Sequence, residues 1–270
     1  MRPVPSRSRI LAIDSSTELA SVCFTDGERW IERREDAGQR HSALIMALVQ
    51  SALEEARCTV SDLDEVAFGA GPGSFTGLRI ACGIAQGIGY GARIPVRGVS
   101  SLMAIAQASG CDAVIAAIDA RMNEVYWAVY RRSPRDGGDQ HRRAGNEVGR
   151  IPSAQWSEIV APTASPTTDV FLPHDSYAHD SHAPGNHAHV NQAWSNDWCA
   201  AGNAFARFAP LIAMLPATAR IEASIEVTAR AIAELAATGH GILAGAEQAM
   251  PVYIRDKVAM TSAERLAVRR

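Results

Sequence analysis

The run Ile10-Leu-Ala-Ile-Asp14 returns as Ile115-Ala-Ala-Ile-Asp119, and this echo restricts the fold more than any other feature of the chain. Ala20 to Thr25 sets Ala20, Val22 and Phe24 against Ser21, Cys23 and Thr25, the period-two pattern of a half-buried strand. Glu124 to Tyr130 alternates in the same way at the same offset from the second run. A strand pair that recurs in this manner implies two lobes of similar topology with a cleft between them. At 270 residues the chain is long enough to bury a sizeable core.

The elements between the two copies can be read in order. Asp26-Gly27 supplies two positive-φ positions for a tight hairpin, and Glu28 to Arg34 returns as a third strand. His41 to Arg57 has helical apolar spacing, and Glu65 to Gly69 reads as a buried strand. A helix follows from Thr76, taken as its N-cap, to Tyr90; Pro95 to Val99 is a strand, and Ser100 caps a helix to Ala108. The predicted order is βββαβαβα.

From Ser133 to Asp197 the composition turns to Pro, Gly, Ser, Asp and His, and six of the eight histidines lie there: His141, His174, His179, His182, His187 and His189. Such a tract could bind a divalent ion. Its irregular histidine spacing and scarce apolar residues favour a mobile insertion. Order is expected again at Trp198 to Gly202, followed by helices at Asn203 to Met214 and Ser224 to Ala237. The expected division is a first lobe at 1–109, a second at 110–250 carrying the insertion 133–197, and a basic tail at 251–270.

A net charge of −3 offers no long-range attraction for nucleic acid, so tRNA is expected to be met only through a partner. The five cysteines are scattered and form no Cys-x-x-Cys pair, which reads as reduced core thiols. No window is apolar enough to span a bilayer, and Met1 to Arg9 has no apolar core of a leader. No membrane contact and a cytoplasmic location are expected.

The glycine-rich stretch Gly69-Ala-Gly-Pro-Gly-Ser-Phe-Thr-Gly-Leu-Arg-Ile80 raises the question of phosphate binding. It has no lysine in Walker register, and it follows a hairpin array where a dinucleotide fingerprint would follow a first strand. A strand, a turn and a helix start remain, whose amides can hold an anion. The alternative is that Gly69, Gly71 and Gly73 only permit tight turns and a close crossing over the sheet. Asp14, Ser16, Thr17, Gly71, Gly73 and Ser74 are therefore candidates for nucleotide binding, with Asp14 holding hydrated Mg²⁺ beside ATP or ADP. Asp119 mirrors Asp14, and carboxylates at strand ends also commonly cap turns.

Gly83, Gly87 and Gly91 recur every four residues, although each interior glycine costs a helix roughly 1 kcal/mol against alanine. The bare stripe lets another helix approach closely. Helix 41–57 is apolar nearly all round, so together the two make a surface for an intermolecular helix-pair contact, with His41, Leu44, Ile45, Leu48, Gly83 and Gly87 as candidate interface residues. Helical metal ligation from His41 would need a second ligand one turn on, and position 45 is Ile45. Ser74 has no nucleophile elbow around it. No catalytic constellation and no metal site are expected.

Ile13-Asp-Ser-Ser-Thr17, Arg40-His-Ser42, Gly71 to Arg79, Asp119-Ala-Arg-Met-Asn-Glu-Val-Tyr126 and Pro251-Val-Tyr-Ile-Arg255 together resemble the bacterial TsaB family, formerly YeaZ. The resemblance implies the actin-like ATPase fold: an α/β chain of two RNase H-like lobes, each a mixed sheet flanked by helices. It implies a part in forming N6-threonylcarbamoyladenosine in tRNAs that read codons beginning with A. The paralogue TsaD carries out the transfer in that family, holding metal through paired histidines on the helix matching His41 to Arg57, and Ile45 fits a partner without that site. The implied partners are TsaD and TsaE, with a homodimer when TsaD is absent. A nucleotide-dependent phosphotransferase of the same fold and the old metallopeptidase assignment are the alternatives; the missing histidine argues against the latter.

Overall fold

The computed structural model describes residues 8–36, 41–132, 155–167, 170, 198–215, 217 and 219–255. The first lobe runs β1 (Ile10–Asp14), β2 (Leu19–Thr25), β3 (Trp30–Asp36), α1 (His41–Ala56), β4 (Glu65–Gly71), α2 (Phe75–Ala92), β5 (Val96–Ser100) and α3 (Ser101–Ser109). The second runs β6 (Ala113–Arg121), β7 (Glu124–Arg132), β8 (Trp156–Pro166), β9 (Trp198–Ala201), α4 (Ala204–Arg207), α5 (Ala209–Ala213) and β10 (Arg220–Glu222). The chain then crosses back through α6 (Ala229–Ala237) to β11 (Ile242–Ala244).

Sheet order is β11-β5-β4-β1-β2-β3 in the first lobe and β10-β9-β6-β7-β8 in the second. In both, an antiparallel meander of three strands is extended by two parallel strands, β1–β4–β5 and β6–β9–β10. The sequence echo thus marks two RNase H-like units, as expected.

Strand alternation divides the core into layers. Leu11, Ile13, Val22, Phe24 and Phe68 face α1 and α2 on the outer side of the first sheet. Ile10, Ala12, Cys23 and Ala67 face inward, and Val114, Ala116 and Ile118 of the second sheet point back at them, with α3 and α6 between. The middle layer is rich in alanine, with Ala104, Ala106, Ala229, Ala231, Ala233 and Ala236 buried, so helices and sheets approach closely there. Ile115, Trp127 and Val129 cover the far face with Phe205 and Leu211. The order is helix, sheet, helix, sheet, helix.

Several local expectations are corrected. The β2–β3 connection is a four-residue loop in which Gly27 alone has positive φ (+86°), because the Asp26 carboxylate accepts from the Glu28 and Arg29 amides and closes a wider turn. Ser74, not Thr76, caps α2, its Oγ accepting from the Gly77 amide at 3.3 Å. Asn203 to Met214 is two short helices, with Pro210 in the first turn of the second. Helix α6 begins at Ala229, because Thr228 is its N-cap, with Oγ1 accepting from the Ala231 amide at 3.3 Å, and Ser21 Oγ on β2 takes the Ala229 amide at 2.8 Å. Within the expected insertion, β8 pairs with β7 as an edge strand whose outer face is mostly half-buried, which masks its alternation. The six histidines named there, and the tail beyond 255, lie outside the described residues. The second lobe does not extend to 250: α6 packs on β1, β2 and β4, and β11 completes the first sheet.

Candidate functional site

A cleft of about 730 Å³ opens between the lobes. One wall is the β1–β2 connection at Ser16, Thr17 and Glu18 with the loop from Pro72 to Thr76; the other is the β6–β7 hairpin from Ile118 to Met122 with Asn203 and Arg207.

The first wall is sewn tightly. The Ser74 amide donates to the Ser16 carbonyl at 2.7 Å, and Ser15 Oγ donates to the Gly77 carbonyl at 2.8 Å. A Cβ at Gly73 would overlap Ser16, and one at Gly77 the Ser15 carbonyl oxygen. Glycine is required here because backbone crosses backbone, which gives the glycine loop its structural reason without any phosphate.

The candidate nucleotide residues separate into two groups. Ser16, Thr17, Gly73 and Ser74 line the cleft, whereas Asp14 and Gly71 do not. Asp14 is fully buried, and a Cβ at Gly69 would overlap its Oδ1. Ser16 donates to Oδ2 from its amide at 3.2 Å and its hydroxyl at 3.1 Å, while Oδ1 has no hydrogen-bond partner. Burial pushes the Asp14 carboxyl up to about 7, against the opposing Ser16 hydrogen bonds. A carboxylate sealed in this way does not fit a hydrated Mg²⁺. Gly71 is covered by the Val252 carbonyl and Leu78.

Asp119 occupies the matching place in the second lobe, and its environment differs. Arg207 lies 3.1 Å and Arg121 3.6 Å from its Oδ2, and the Arg121 amide donates to Oδ1 at 2.8 Å. Its carboxylate is spent on arginines. Among the described residues no group of three or more His, Cys, Asp and Glu side chains could hold a metal ion.

Sequence reasoning missed the strap that roofs the cleft. The Val252 amide donates to the Ala70 carbonyl at 2.7 Å, and Gln86 Nε2 donates to Ala249 O at 2.8 Å. The Tyr253 ring lies 5.4 Å from that of Phe75; Arg79 stacks 3.9 Å over Phe75 and donates from Nε to the Tyr253 hydroxyl at 2.9 Å. Arg255 reaches the second lobe, pairing with Glu124 and donating to Ala120 O at 3.4 Å. The Tyr and Arg of Pro251-Val-Tyr-Ile-Arg255 were the available signal, since such residues seldom serve a plain tail.

A second surface lies on the outer helices. Gly83, Gly87 and Gly91 face open space, with nothing within 4 Å of a Cβ added at any of them. Leu44 and Leu48 are half-buried; the backbone of His41 begins α1. Ile45 belongs to the core and is 0% exposed, so it offers no contact to a partner. Met46, half exposed, takes the outward position beside it, and with Val49, Leu53 and Val60 it borders an apolar groove along α1.

Duplicated RNase H-like sheets enclosing an interlobe cleft define a protein of the actin-like fold class. The model of the family described as TsaD, tRNA N6-adenosine threonylcarbamoyltransferase, matches residues 34–267. The structure of YeaZ from Pseudomonas aeruginosa is 32% identical, with a TM-score of 0.68 over 91% of this chain and 99% of that one. TsaB of Escherichia coli, named as a tRNA threonylcarbamoyladenosine biosynthesis protein, is 46% identical over 128 residues, 46% of this chain and 55% of the relative. TsaB of Haemophilus influenzae is 42% identical over 156 residues, 56% of this chain and 61% of the relative. The chain thus spans 55–61% of the length of these two curated relatives. It belongs to the TsaB (YeaZ) family, within the wider TsaD group.

Proposed function

We propose that the chain is a non-catalytic cytoplasmic scaffold that activates a TsaD partner in forming N6-threonylcarbamoyladenosine in tRNAs that read codons beginning with A. TsaE joins the assembly, tRNA is met only through it, and the chain pairs with itself when TsaD is absent. The observation that carries this reading is the outward glycine stripe of α2, which faces open space despite its cost to the helix. The pathway named for the TsaB relatives supports it. So does the sealed Asp14, which removes the fold's obvious metal carboxylate from the cleft.

Gly87→Leu tests the surface. The new side chain enters open space and raises helix propensity by roughly 0.8–1 kcal/mol, so the fold survives while the close helix approach is blocked. Co-purification with TsaD and self-association by size exclusion are expected to be lost; normal pull-down refutes the surface. Reconstitution of the modification with TsaD and TsaE, leaving this chain out as the control, tests the pathway.

The second reading is a nucleotide-dependent phosphotransferase using Ser16, Thr17, Gly73 and Ser74 in the cleft. Purified chain assayed alone for ATP hydrolysis with Mg²⁺ separates the two. Robust turnover by the purified chain that Thr17→Ala in the cleft abolishes overturns the scaffold reading.

A further inference from the structure

Trp156 opens the edge strand β8 of the second lobe, yet its side chain is buried in the alanine-rich middle layer against elements of the first. Its indole Nε1 donates to Gln107 Oε1 on α3 at 2.9 Å, and its amide donates at 3.1 Å to Nε2 of His240, which lies between α6 and β11. Gln107 in turn donates from Nε2 to the Glu234 carboxylate on α6 at 2.9 Å. Glu226, just before α6, lines the cleft, and α6 is nine residues long, so this joint lies at the far end of the helix, roughly 14 Å along its axis.

The tautomer of His240 follows from its neighbours. Thr238 Oγ1 donates its proton to the Leu235 carbonyl at 2.9 Å, so at 2.9 Å from His240 Nδ1 it can only accept. Nδ1 therefore carries the ring proton, and Nε2 keeps the lone pair that takes the Trp156 amide. A second ring proton would set N–H against N–H and end that bond.

The charges around the ring do not welcome the cation. Arg97 on β5 donates to the Gly239 carbonyl at 3.2 Å, with Glu65 held on its other nitrogens. Arg132 on β7 stacks 4.8 Å over the Trp156 ring. The Glu234 carboxylate is turned to Gln107 and Arg230, and Glu158 lies two residues along β8. Burial, with Arg97 beside it, holds the ring pKa below 6.5 against the favourable Leu235 carbonyl.

We infer that His240 and Trp156 form a pH-released latch between the lobes, closed while the ring is neutral and opened when Nε2 takes a proton. Release frees the leading end of β8 from the end of α6. Once released the ring titrates near 6.5, so linkage raises the open fraction by up to about tenfold between pH 7.5 and pH 5.5.

The test follows amide hydrogen exchange by NMR on the full-length chain at pH 5.5, 6.5 and 7.5, with the intrinsic pH dependence of exchange divided out. Protection of the Trp156 amide is expected to fall several-fold, up to about tenfold, from pH 7.5 to pH 5.5, while the amide of Ile115 in the central strand β6 keeps its own. The Trp156 indole N–H resonance should move with the same midpoint, below 6.5. His240→Gln offers a carbonyl oxygen that does not titrate, and its Trp156 protection should stay level across the range. His240→Leu removes the acceptor and should lower that protection at every pH. Wild-type protection unchanged within twofold overturns the inference. So does an equal fall in His240→Gln, which would assign the titration to another group such as Glu158. If neither variant folds, the wild type decides alone: a His240 ring midpoint at or above 6.5, or no change at Trp156, refutes the latch.

Discussion

Replacing Asp14 by asparagine should stabilise the protein, and the gain should grow with pH. In the unfolded chain this carboxyl titrates near 3.8, whereas in the fold burial raises it to about 7. Below about pH 4 both states hold the proton, and ionisation costs the fold nothing. Between about pH 4 and pH 7 the unfolded state releases it first, so stability falls as pH rises, and above the folded value the full loss remains. Three units at about 1.4 kcal/mol each set a ceiling of about 4 kcal/mol. The asparagine amide keeps an oxygen for the two Ser16 donors and places an uncharged NH₂ where Oδ1 has no partner, as the protonated carboxyl already does. Urea denaturation of wild type and Asp14→Asn at pH 5 and pH 8 is the assay. Gains of about 1.5 kcal/mol at pH 5 and up to about 4 at pH 8 are expected. An equal gain at both pH values, or a loss at pH 8, refutes the argument that an unsatisfied buried charge is relieved.

Gly77→Ala should destabilise by several kcal/mol or abolish folding, because its Cβ would overlap the Ser15 carbonyl oxygen, while Gly83→Ala in the same helix should gain about 1 kcal/mol; equal effects in thermal melts contradict this contrast. Glu65→Ala removes the partner that Arg97 binds through two nitrogens at 2.5 and 2.9 Å, and should cost about 3–5 kcal/mol in urea unfolding; a loss under about 1 kcal/mol would show the guanidinium finds water. His240 accepts the Trp156 amide on Nε2 at 3.1 Å, and burial lowers its pKa below 6.5, so the unfolded chain takes up the proton first and His240 costs stability as pH falls through that value. The thermal-midpoint difference between wild type and His240→Gln should therefore shrink from pH 7.5 to pH 5.5, and an unchanged difference rules this out.

Period-two alternation made β2 and β7 legible, and the repeated apolar run made β1 and β6 legible because these central strands bury one face in the alanine-rich middle layer and the other under outer helices. Element ends were less legible. The start of α6 is set by Thr228, whose Oγ1 caps the Ala231 amide, together with Ser21, more than two hundred positions away in sequence, which takes the Ala229 amide and which no local rule reports. In the site, Ser16, Thr17, Gly73 and Ser74 were found from composition, but Asp14 looks identical on paper whether it faces solvent or the underside of Gly69. Arg207 carries no motif of its own, and the motif Pro251-Val-Tyr-Ile-Arg255 does not say that it roofs a cleft; the strap does so because the chain crosses back to the first lobe.

The sequence by itself determined the duplication, the two strand meanders, the glycine stripe and the family, since each is written in the order and spacing of neighbouring residues. Only the tertiary structure decided that Asp14 is sealed, that Ile45 is core and that the second lobe ends before α6. Those outcomes depend on which distant backbone comes to lie over a given side chain, and burial is a property of the assembled layers.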